Sequence, residues 1–249
     1  SAAIGQELCA NPKVAKISFT GSTNVGKILM RQCADGIKRM SMELGGNAPF
    51  IVFDDADLDA AVDGAIASKF RNAGQTCANR VFEQAGIHDA FVDRLKDRMA
   101  QLRLGNGMEE GIELGPLITD KAVSKVEELV GDARELGADI IMGGAPTGER
   151  TFYPPTLLVG ATKDMRLARE EIFGPVAPVF KFETVEEAVE LANATEFGLA
   201  AYFYGKDISK VTKVAEALQY GIVGINTGMI STEVAPFGGD KQSGFGREG

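Results

Sequence analysis

Apolar runs of strand length alternate with amphipathic stretches of helix length along most of the chain. Residues 14–19 alternate like a strand, and a helical pattern follows from Thr23 to about residue 34. Because strands that alternate with helices usually pair in parallel and are covered by those helices, the order predicts an α/β fold built on a largely parallel sheet. Further strands are predicted at 37–44, 49–53, 80–84, 138–142, 156–159, 199–204 and 221–225, and one more strand ends at 182. Further helices are predicted at 87–102, 120–136 and 208–218, together with one that ends at 70 and one that begins at 184.

Composition excludes several functions for these 249 residues, which could form one large domain or two smaller ones. No apolar run reaches the length of a membrane span, and the net charge of -9 disfavours binding to nucleic acid or to anionic membranes. The three cysteines lack CxxC spacing, which favours a reducing, cytoplasmic location. A single histidine, His88, argues against a histidine-based metal site, and we expect His88 at the surface rather than in catalysis.

A cysteine ends the segment 70–77, a glycine-containing turn between a helical run and a strand. Such a turn presents side chains to a cleft, and Arg71 places a cation six residues before Cys77. The interpretation is that Cys77 is a nucleophile. A buried free cysteine is the alternative, and for any cysteine taken alone it is the commoner case.

Two other segments hold candidate site residues. Glu43 stands between an apolar strand and a pair of glycines. The Gly21–Ser22 turn joins a strand to a helix, where free N–H groups and the helix dipole can hold a phosphate group. Taken alone, this second segment is better explained as an ordinary turn capped by Ser22.

Five short motifs together resemble the aldehyde dehydrogenase superfamily, and they stand in that family's order and near its spacing. A finer resemblance is to the succinate-semialdehyde dehydrogenase branch, carried by 70–72, 228–233 and the ending 241–249. The five motifs are Phe19-Thr20-Gly21-Ser22, Glu43-Leu44-Gly45-Gly46, Gly74-Gln75-Thr76-Cys77, Glu171-Ile172-Phe173-Gly174-Pro175 and Pro236-Phe237-Gly238-Gly239.

The resemblance implies oxidation of an aldehyde with NAD or NADP as cofactor. Cys77 would attack the aldehyde to give a thiohemiacetal and then a thioester, and Glu43 would act as general base. It also implies five cofactor-binding residues: Gly21 and Ser22 at the pyrophosphate, Leu44 at the nicotinamide, Glu171 at its ribose, and Phe173 packed beside it.

Substrate class rests on Arg71 and Ser231. A guanidinium can pair with a distal carboxylate through two hydrogen bonds, so the resemblance implies an aldehyde that carries a carboxylate, such as succinate semialdehyde. Glutarate semialdehyde remains an alternative substrate. An ion-pair partner at the surface is the alternative for Arg71, and a turn hydroxyl is the alternative for Ser231. The resemblance also implies a homo-oligomer, a dimer or tetramer.

In domain terms, the resemblance implies that the chain corresponds to the C-terminal part of such enzymes. Residues 1–46 would complete a Rossmann-like cofactor domain, 47–231 would form the catalytic domain, and 232–249 would return toward the cofactor domain. The amino-terminal portion of the family is absent, and so is its last strand. The related branch also has two more residues after Cys77, including a second cysteine. Glu83, on an apolar strand face, and Asp240, beside a glycine pair, are unexpected.

Two other functions remain open. A cysteine hydrolase would use the same thiol without a cofactor, but it needs a base near Cys77. A non-catalytic fragment would fold and bind a partner without turnover, because the cofactor domain is incomplete.

Overall fold

The computed structural model describes residues 2–75 and 78–247, so Cys77 lies outside the described residues. The helices are α1 (Ala2–Ala10), α2 (Thr23–Cys33), α3 (Leu58–Lys69), α4 (His88–Met99), α5 (Asp120–Glu135), α6 (Val185–Asn193) and α7 (Ile208–Ala217). The strands are β1 (Lys16–Thr20), β2 (Arg39–Glu43), β3 (Ala48–Val52), β4 (Ala78–Gln84), β5 (Asp139–Met142), β6 (Thr156–Val159), β7 (Val176–Phe182), β8 (Phe197–Gly198), β9 (Ala200–Tyr204), β10 (Ile222–Ile225), β11 (Asp240–Lys241) and β12 (Gly244–Phe245).

The larger sheet has seven strands in the order β10-β9-β3-β4-β7-β6-β5. All neighbours in it are parallel except β5, which runs antiparallel to β6. The central strands β3 and β9 are buried along their whole length. Helices cover both faces, because alternate residues of β4 contact α6 on one side and α4 on the other. The prediction of an α/β fold with a largely parallel sheet is confirmed.

A smaller sheet joins the two ends of the chain. Strands β1 and β2 pair in parallel, and β12 adds to β2 in the antiparallel direction, with Gly244 opposite Glu43. Gly244 has φ +122°, and a Cβ there would lie 1.8 Å from the carbonyl oxygen of Met42, so the pairing requires glycine. Helix α1 and the tail strands β11 and β12 lie outside the strands and helices predicted from the sequence.

Helix starts follow the sequence closely. Ser22, Asp57 and Thr184 each accept a hydrogen bond from a backbone N–H in the first turn of their helix. Such caps satisfy donors that would otherwise have no partner. The predicted helices at these positions are confirmed.

His88 corrects one prediction. We expected it at the surface, but it is buried, and its Nδ1 lies 2.9 Å from Oε2 of the fully buried Glu83. A strand carboxylate at an apolar position therefore has a partner in the first residue of the next helix. The pair explains why Glu83 is tolerated there.

Within the described residues, no helix is long and apolar enough to cross a membrane. The smaller sheet draws its strands from 1–46 and 232–249, and the larger one lies inside 47–231. The separate roles predicted for those three segments stay predictions.

Candidate active site

The candidate site lies where the two sheets meet. Strands β1 and β2 end there with Thr20 and Glu43, while β3 and β4 begin there with Ala48 and Ala78. The carboxyl ends of one parallel sheet thus face the amino ends of another. Only residues 44–47 connect β2 to β3, so the two sheets approach closely at this point.

Glu43 is the last residue of β2 and is 7% exposed. Its carbonyl oxygen accepts a hydrogen bond from the N–H of Gly21 at 2.9 Å, and the next residue, Leu44, donates its N–H to the Ser243 carbonyl at 2.9 Å. Neighbours on both sides therefore fix the backbone that carries the predicted base.

Ser22 caps α2 beside a cavity of about 370 Å³. The cavity is lined by the first turn of α2, by Lys27, by Gly45 and by Glu171. A Cβ on Gly45 would lie 3.3 Å from Thr23 Oγ1 and 3.6 Å from Glu171 Oε2. The structure therefore brings Ser22, the loop after Glu43, and Glu171 to one place, although they are distant in sequence.

Glu171 is held from two sides. Its Oε1 accepts the N–H of Gly46 at 3.3 Å, and its backbone carbonyl accepts Lys125 Nζ at 2.6 Å. Burial raises the pKa of the Glu171 carboxyl, while the Gly46 N–H, Lys125 and Lys69 act in the opposite direction. A partly buried carboxylate facing a polar cavity is suited to accept hydroxyl donors from a ligand.

Three buried polar residues that the sequence analysis missed hold this region together. Asn79 donates to Asn47 Oδ1 at 2.5 Å and accepts the N–H of Ile172 at 3.0 Å. The register between β3 and β4 shifts between Ala48 and Pro49 and skips Asn79, which frees its amide to reach the loop before β7. Asn47 in turn donates to the Ala168 carbonyl at 3.0 Å.

Arg80 is the third of these residues and is 2% exposed. Its guanidinium donates to the backbone carbonyls of Asn47, Leu191 and Ala192 and to the Tyr220 hydroxyl. A polar pair at the start of a strand, directly after the cysteine turn, was the available sequence signal. We name Asn47, Asn79 and Arg80 the amide–guanidinium network.

Ser243, also missed, ties the tail to the site. Its hydroxyl donates to the Gly45 carbonyl at 2.6 Å and accepts the N–H of Gly198 at 2.9 Å. The hydroxyl of Thr23 similarly bridges the Gln242 carbonyl and the Gly45 N–H. The glycines after Glu43 are thus held by the helix of the small sheet and by the returning tail.

The turn before Cys77 has an unusual backbone. Asn72, Ala73 and Gly74 have φ values of 52°, 55° and 72°, a left-handed run of three residues. Gly74 also packs against the next loop, since a Cβ there would lie 2.2 Å from the Gly174 carbonyl oxygen. Left-handed alanine is strained by about 1–2 kcal/mol, and such strain concentrates at functional sites.

Arg71 begins this turn and lines a cavity of about 220 Å³. Ile66, Phe70, Leu102 and Met229 contribute apolar walls, and Arg71 Nη1 lies 3.9 Å from Met229 Sδ. Ser231, predicted beside Arg71, is exposed two residues beyond Met229 and does not line this cavity. Its role in substrate binding stays a prediction.

Phe173 has φ 57° and is 43% exposed. It follows Ile172, which the amide–guanidinium network holds. Its ring is therefore available at the surface next to Glu171. Packing of Phe173 against a ligand stays a prediction.

The residues around the larger cavity fit part of a dinucleotide. The amino end of α2 with Lys27 is suited to phosphate, and the Glu171 carboxylate is suited to ribose hydroxyls. Gly45 fits the close approach of Thr23 and Phe197 at this wall of the cavity, because a Cβ there would lie 3.3 Å from Thr23 Oγ1 and 3.2 Å from the Phe197 ring.

Comparison with known proteins gives a consistent result. The family model described as "Aldehyde dehydrogenase family" matches residues 1–249. The chain is 58% identical over 250 residues to succinate-semialdehyde dehydrogenase [NADP(+)] of Escherichia coli strain K12, covering 99% of this chain and 52% of that protein. It is also 58% identical over 249 residues to glutarate-semialdehyde dehydrogenase of Pseudomonas aeruginosa, again with 99% and 52% coverage.

Among solved structures, the chain is similar to succinate-semialdehyde dehydrogenase from Burkholderia pseudomallei. The TM-score is 0.98 at 58% identity, and the match covers 100% of this chain and 52% of that one. The chain therefore spans about half the length of the relatives it matches.

Proposed function

This chain belongs to the aldehyde dehydrogenase family, and we propose that it provides the nucleophile and base of an NAD- or NADP-dependent semialdehyde dehydrogenase. One observation carries the proposal. Ser22, the loop that follows Glu43, and Glu171 meet around one cavity at the junction of the two sheets. This arrangement can hold a dinucleotide next to a buried carboxylate.

In the proposed mechanism, the Cys77 thiolate attacks the aldehyde carbon and forms a thiohemiacetal. Glu43 accepts the proton of the thiol, and later that of the water which attacks the thioester. Oxidised nicotinamide, when bound beside Glu171, would supply the hydride acceptor that the oxidation requires. Burial of Glu43 at the end of a fixed strand restricts its side chain, and a fixed base is an effective one.

The cofactor-binding roles follow the geometry of the cavity. Gly21 and Ser22 lie at the amino end of α2 and would hold the pyrophosphate, and the Glu171 carboxylate would accept the hydroxyls of the nicotinamide ribose. Leu44 would contact the nicotinamide end through its backbone carbonyl, and Phe173 would pack beside the ribose. Succinate-semialdehyde dehydrogenase [NADP(+)] as a relative makes NADP a reasonable first choice for experiments.

The substrate is a semialdehyde whose distal carboxylate pairs with Arg71, with Ser231 as a further hydrogen-bond donor. The apolar walls of the Arg71 cavity suit the methylene groups between the aldehyde and that carboxylate. Relatives named for succinate and glutarate semialdehyde are equally similar at 58% identity, so chain length must be tested with both compounds. A cytoplasmic homo-oligomer that binds neither membrane nor nucleic acid completes the proposal.

A cysteine hydrolase is disfavoured by where His88 lies. The histidine pairs with Glu83, five residues along β4 from Ala78, which is roughly 17 Å at the usual strand rise. The residue that follows Cys77 is therefore at the other end of the strand from His88. We expect no cofactor-independent ester hydrolysis that depends on His88.

The first experiment follows formation of reduced nicotinamide with succinate and glutarate semialdehyde, and traps acyl-enzyme by mass spectrometry. We expect turnover by the wild type and loss of acyl-enzyme in Cys77→Ala. Cys33→Ala is the matched control, because Cys33 is a buried thiol in the core of the small sheet. Acyl-enzyme in Cys77→Ala would refute the nucleophile, and a wild-type chain without turnover would favour the non-catalytic fragment.

The second experiment replaces Arg71 by alanine. Because a guanidinium attracts a carboxylate-bearing aldehyde but not a neutral one, KM should rise by about tenfold or more for the first and little for the second. Arg94→Ala is the control, since Arg94 pairs with Asp59 on the outer surface of α4. Equal effects on both aldehydes would remove the anion-binding role.

A further inference from the structure

Lys69 is a buried amine at the end of α3. It is the last residue of α3 and is 1% exposed. Its Nζ makes no hydrogen bond within the described residues. A buried ammonium without a partner is costly, so a lysine at this position calls for a reason beyond packing.

The course of the chain places Lys69 beneath the candidate site. Helix α3 connects the parallel neighbours β3 and β4, so it returns along the sheet and its last residue lies near their amino ends. The same edge contains the 44–47 loop and the segment that carries Glu171. Lys69 and Glu171 interact electrostatically, each favouring the charged form of the other.

We propose that Lys69 is a positioning residue that keeps Glu171 ionised, so that the carboxylate can accept hydrogen bonds from the ribose hydroxyls of the dinucleotide. The inference rests on the proposed function and deepens it. Lys69 is enclosed and does not line the cavity. It therefore acts on the ligand through Glu171.

Other charged groups lie around the cavity that Glu171 lines. Lys125 of α5 donates to its backbone carbonyl. The remaining charged residues around the cavity are Lys27, Arg169, Glu170 and Glu196. All of these residues line the cavity, whereas Lys69 is buried in the protein interior, where a charge is screened less by water.

The effect of Lys69 depends on pH. Burial lowers the pKa of Lys69 to about 7, despite the favourable charge of Glu171. Below that pH the ammonium is present and opposes protonation of Glu171, whose pKa burial raises. Above that pH Lys69 becomes neutral and no longer acts on the Glu171 carboxyl. Loss of Lys69 should therefore weaken dinucleotide binding only on the acid side.

The test is calorimetric titration of NADP⁺ into the wild type, Lys69→Met and Lys69→Arg, near pH 6 and near pH 8. One unit of pKa corresponds to about tenfold in binding, so Lys69→Met should bind about tenfold more weakly near pH 6 and within about twofold near pH 8. Lys69→Arg should recover most of the loss, because it keeps the charge. Lys121→Met, on the exposed face of α5, is the control.

A double-mutant cycle separates the charge from a packing effect. In a Glu171→Gln background, Lys69→Met should cause no further loss near pH 6. Equal weakening by Lys69→Met at both pH values, or an undiminished loss in the Glu171→Gln background, would overturn the inference. If wild type binds no dinucleotide at either pH, the proposed function itself fails. If the wild type binds the dinucleotide and Lys69→Met shows the same pH profile, the role proposed for Lys69 fails while the proposed function stands.

Discussion

Buried polar residues at the two ends of β4 have different kinds of partner. At the amino end, Asn79 and Arg80 bond to loops that are distant in sequence, including 168–172 and the end of α6. At the carboxyl end, Glu83 pairs with His88 in the next helix, five residues away. The bonds of Asn79 and Arg80 hold together separate segments around the candidate site. The Glu83–His88 pair stabilises only the local connection between β4 and α4. Buried polarity in one strand can therefore serve function at one end and local structure at the other.

The largest effect should come from Arg80→Met. The variant leaves the carbonyls of Asn47 and Leu191 without their side-chain donor and removes one of the two donors to the Ala192 carbonyl, the other being the Tyr220 hydroxyl. Each buried unsatisfied group costs about 1–3 kcal/mol. We expect the free energy of unfolding to fall by roughly 3–5 kcal/mol, measured by urea denaturation. A loss below about 1 kcal/mol would mean that the network tolerates its removal and that the contrast between the two ends is false.

Sequence reasoning recovered the two ends unequally. Period-2 apolar runs and caps such as Ser22 predicted the strands and helices, because those signals are local. The network was missed because its hydrogen bonds join residues 32 to 140 apart in sequence, and Asn and Arg are usually exposed. His88 was misjudged for a related reason, since its burial depends on Glu83 across a turn.

Asn79→Ala should give the next largest effect. It removes the acceptor for the Ile172 N–H and the donor to Asn47, so we expect a loss of about 2–3 kcal/mol in unfolding free energy. Because Ile172 adjoins Glu171, dinucleotide affinity should also fall, which calorimetric titration measures. Unchanged affinity in a folded variant would show that the network supports the fold without positioning Glu171.

Glu83→Gln tests the other end through pH. Burial raises the pKa of Glu83 to about 7 from 4.5, so the folded state binds the proton more tightly than the unfolded state. Its contribution to stability is complete below about pH 4.5 and is lost as pH rises to about 7. His88, Lys181 and Asp89 are the charged or titratable groups that act on it.

We expect Glu83→Gln to flatten this part of the pH profile and to exceed the wild type by about 1–2 kcal/mol near pH 8. Urea midpoints near pH 5 and pH 8 measure it. Dinucleotide affinity should be unchanged, and a clear loss of affinity would show that the carboxyl end of β4 also supports the site.

The smallest effect should come from Gln84→Ala. This amide also bridges two loops, accepting the Asp54 N–H and donating to the Glu183 carbonyl, but both bonds are exposed. Water can replace them, so we expect a loss of about 0.5–1 kcal/mol with no change in dinucleotide binding. Compared with Asn79→Ala, it isolates burial and location as the cause of any larger effect.

The pairing of β12 with β2 has a consequence for when the site can form during synthesis. Ser243 Oγ bonds to the Gly45 carbonyl across 198 positions of sequence. At about 5–20 residues per second, the ribosome needs roughly 10–40 s to reach Ser243 after making Gly45. Until then the edge of β2 that pairs with β12 is exposed, and Gly45 lacks its hydrogen bond from Ser243. The predicted base, Glu43, is therefore synthesised well before the structure around it is complete.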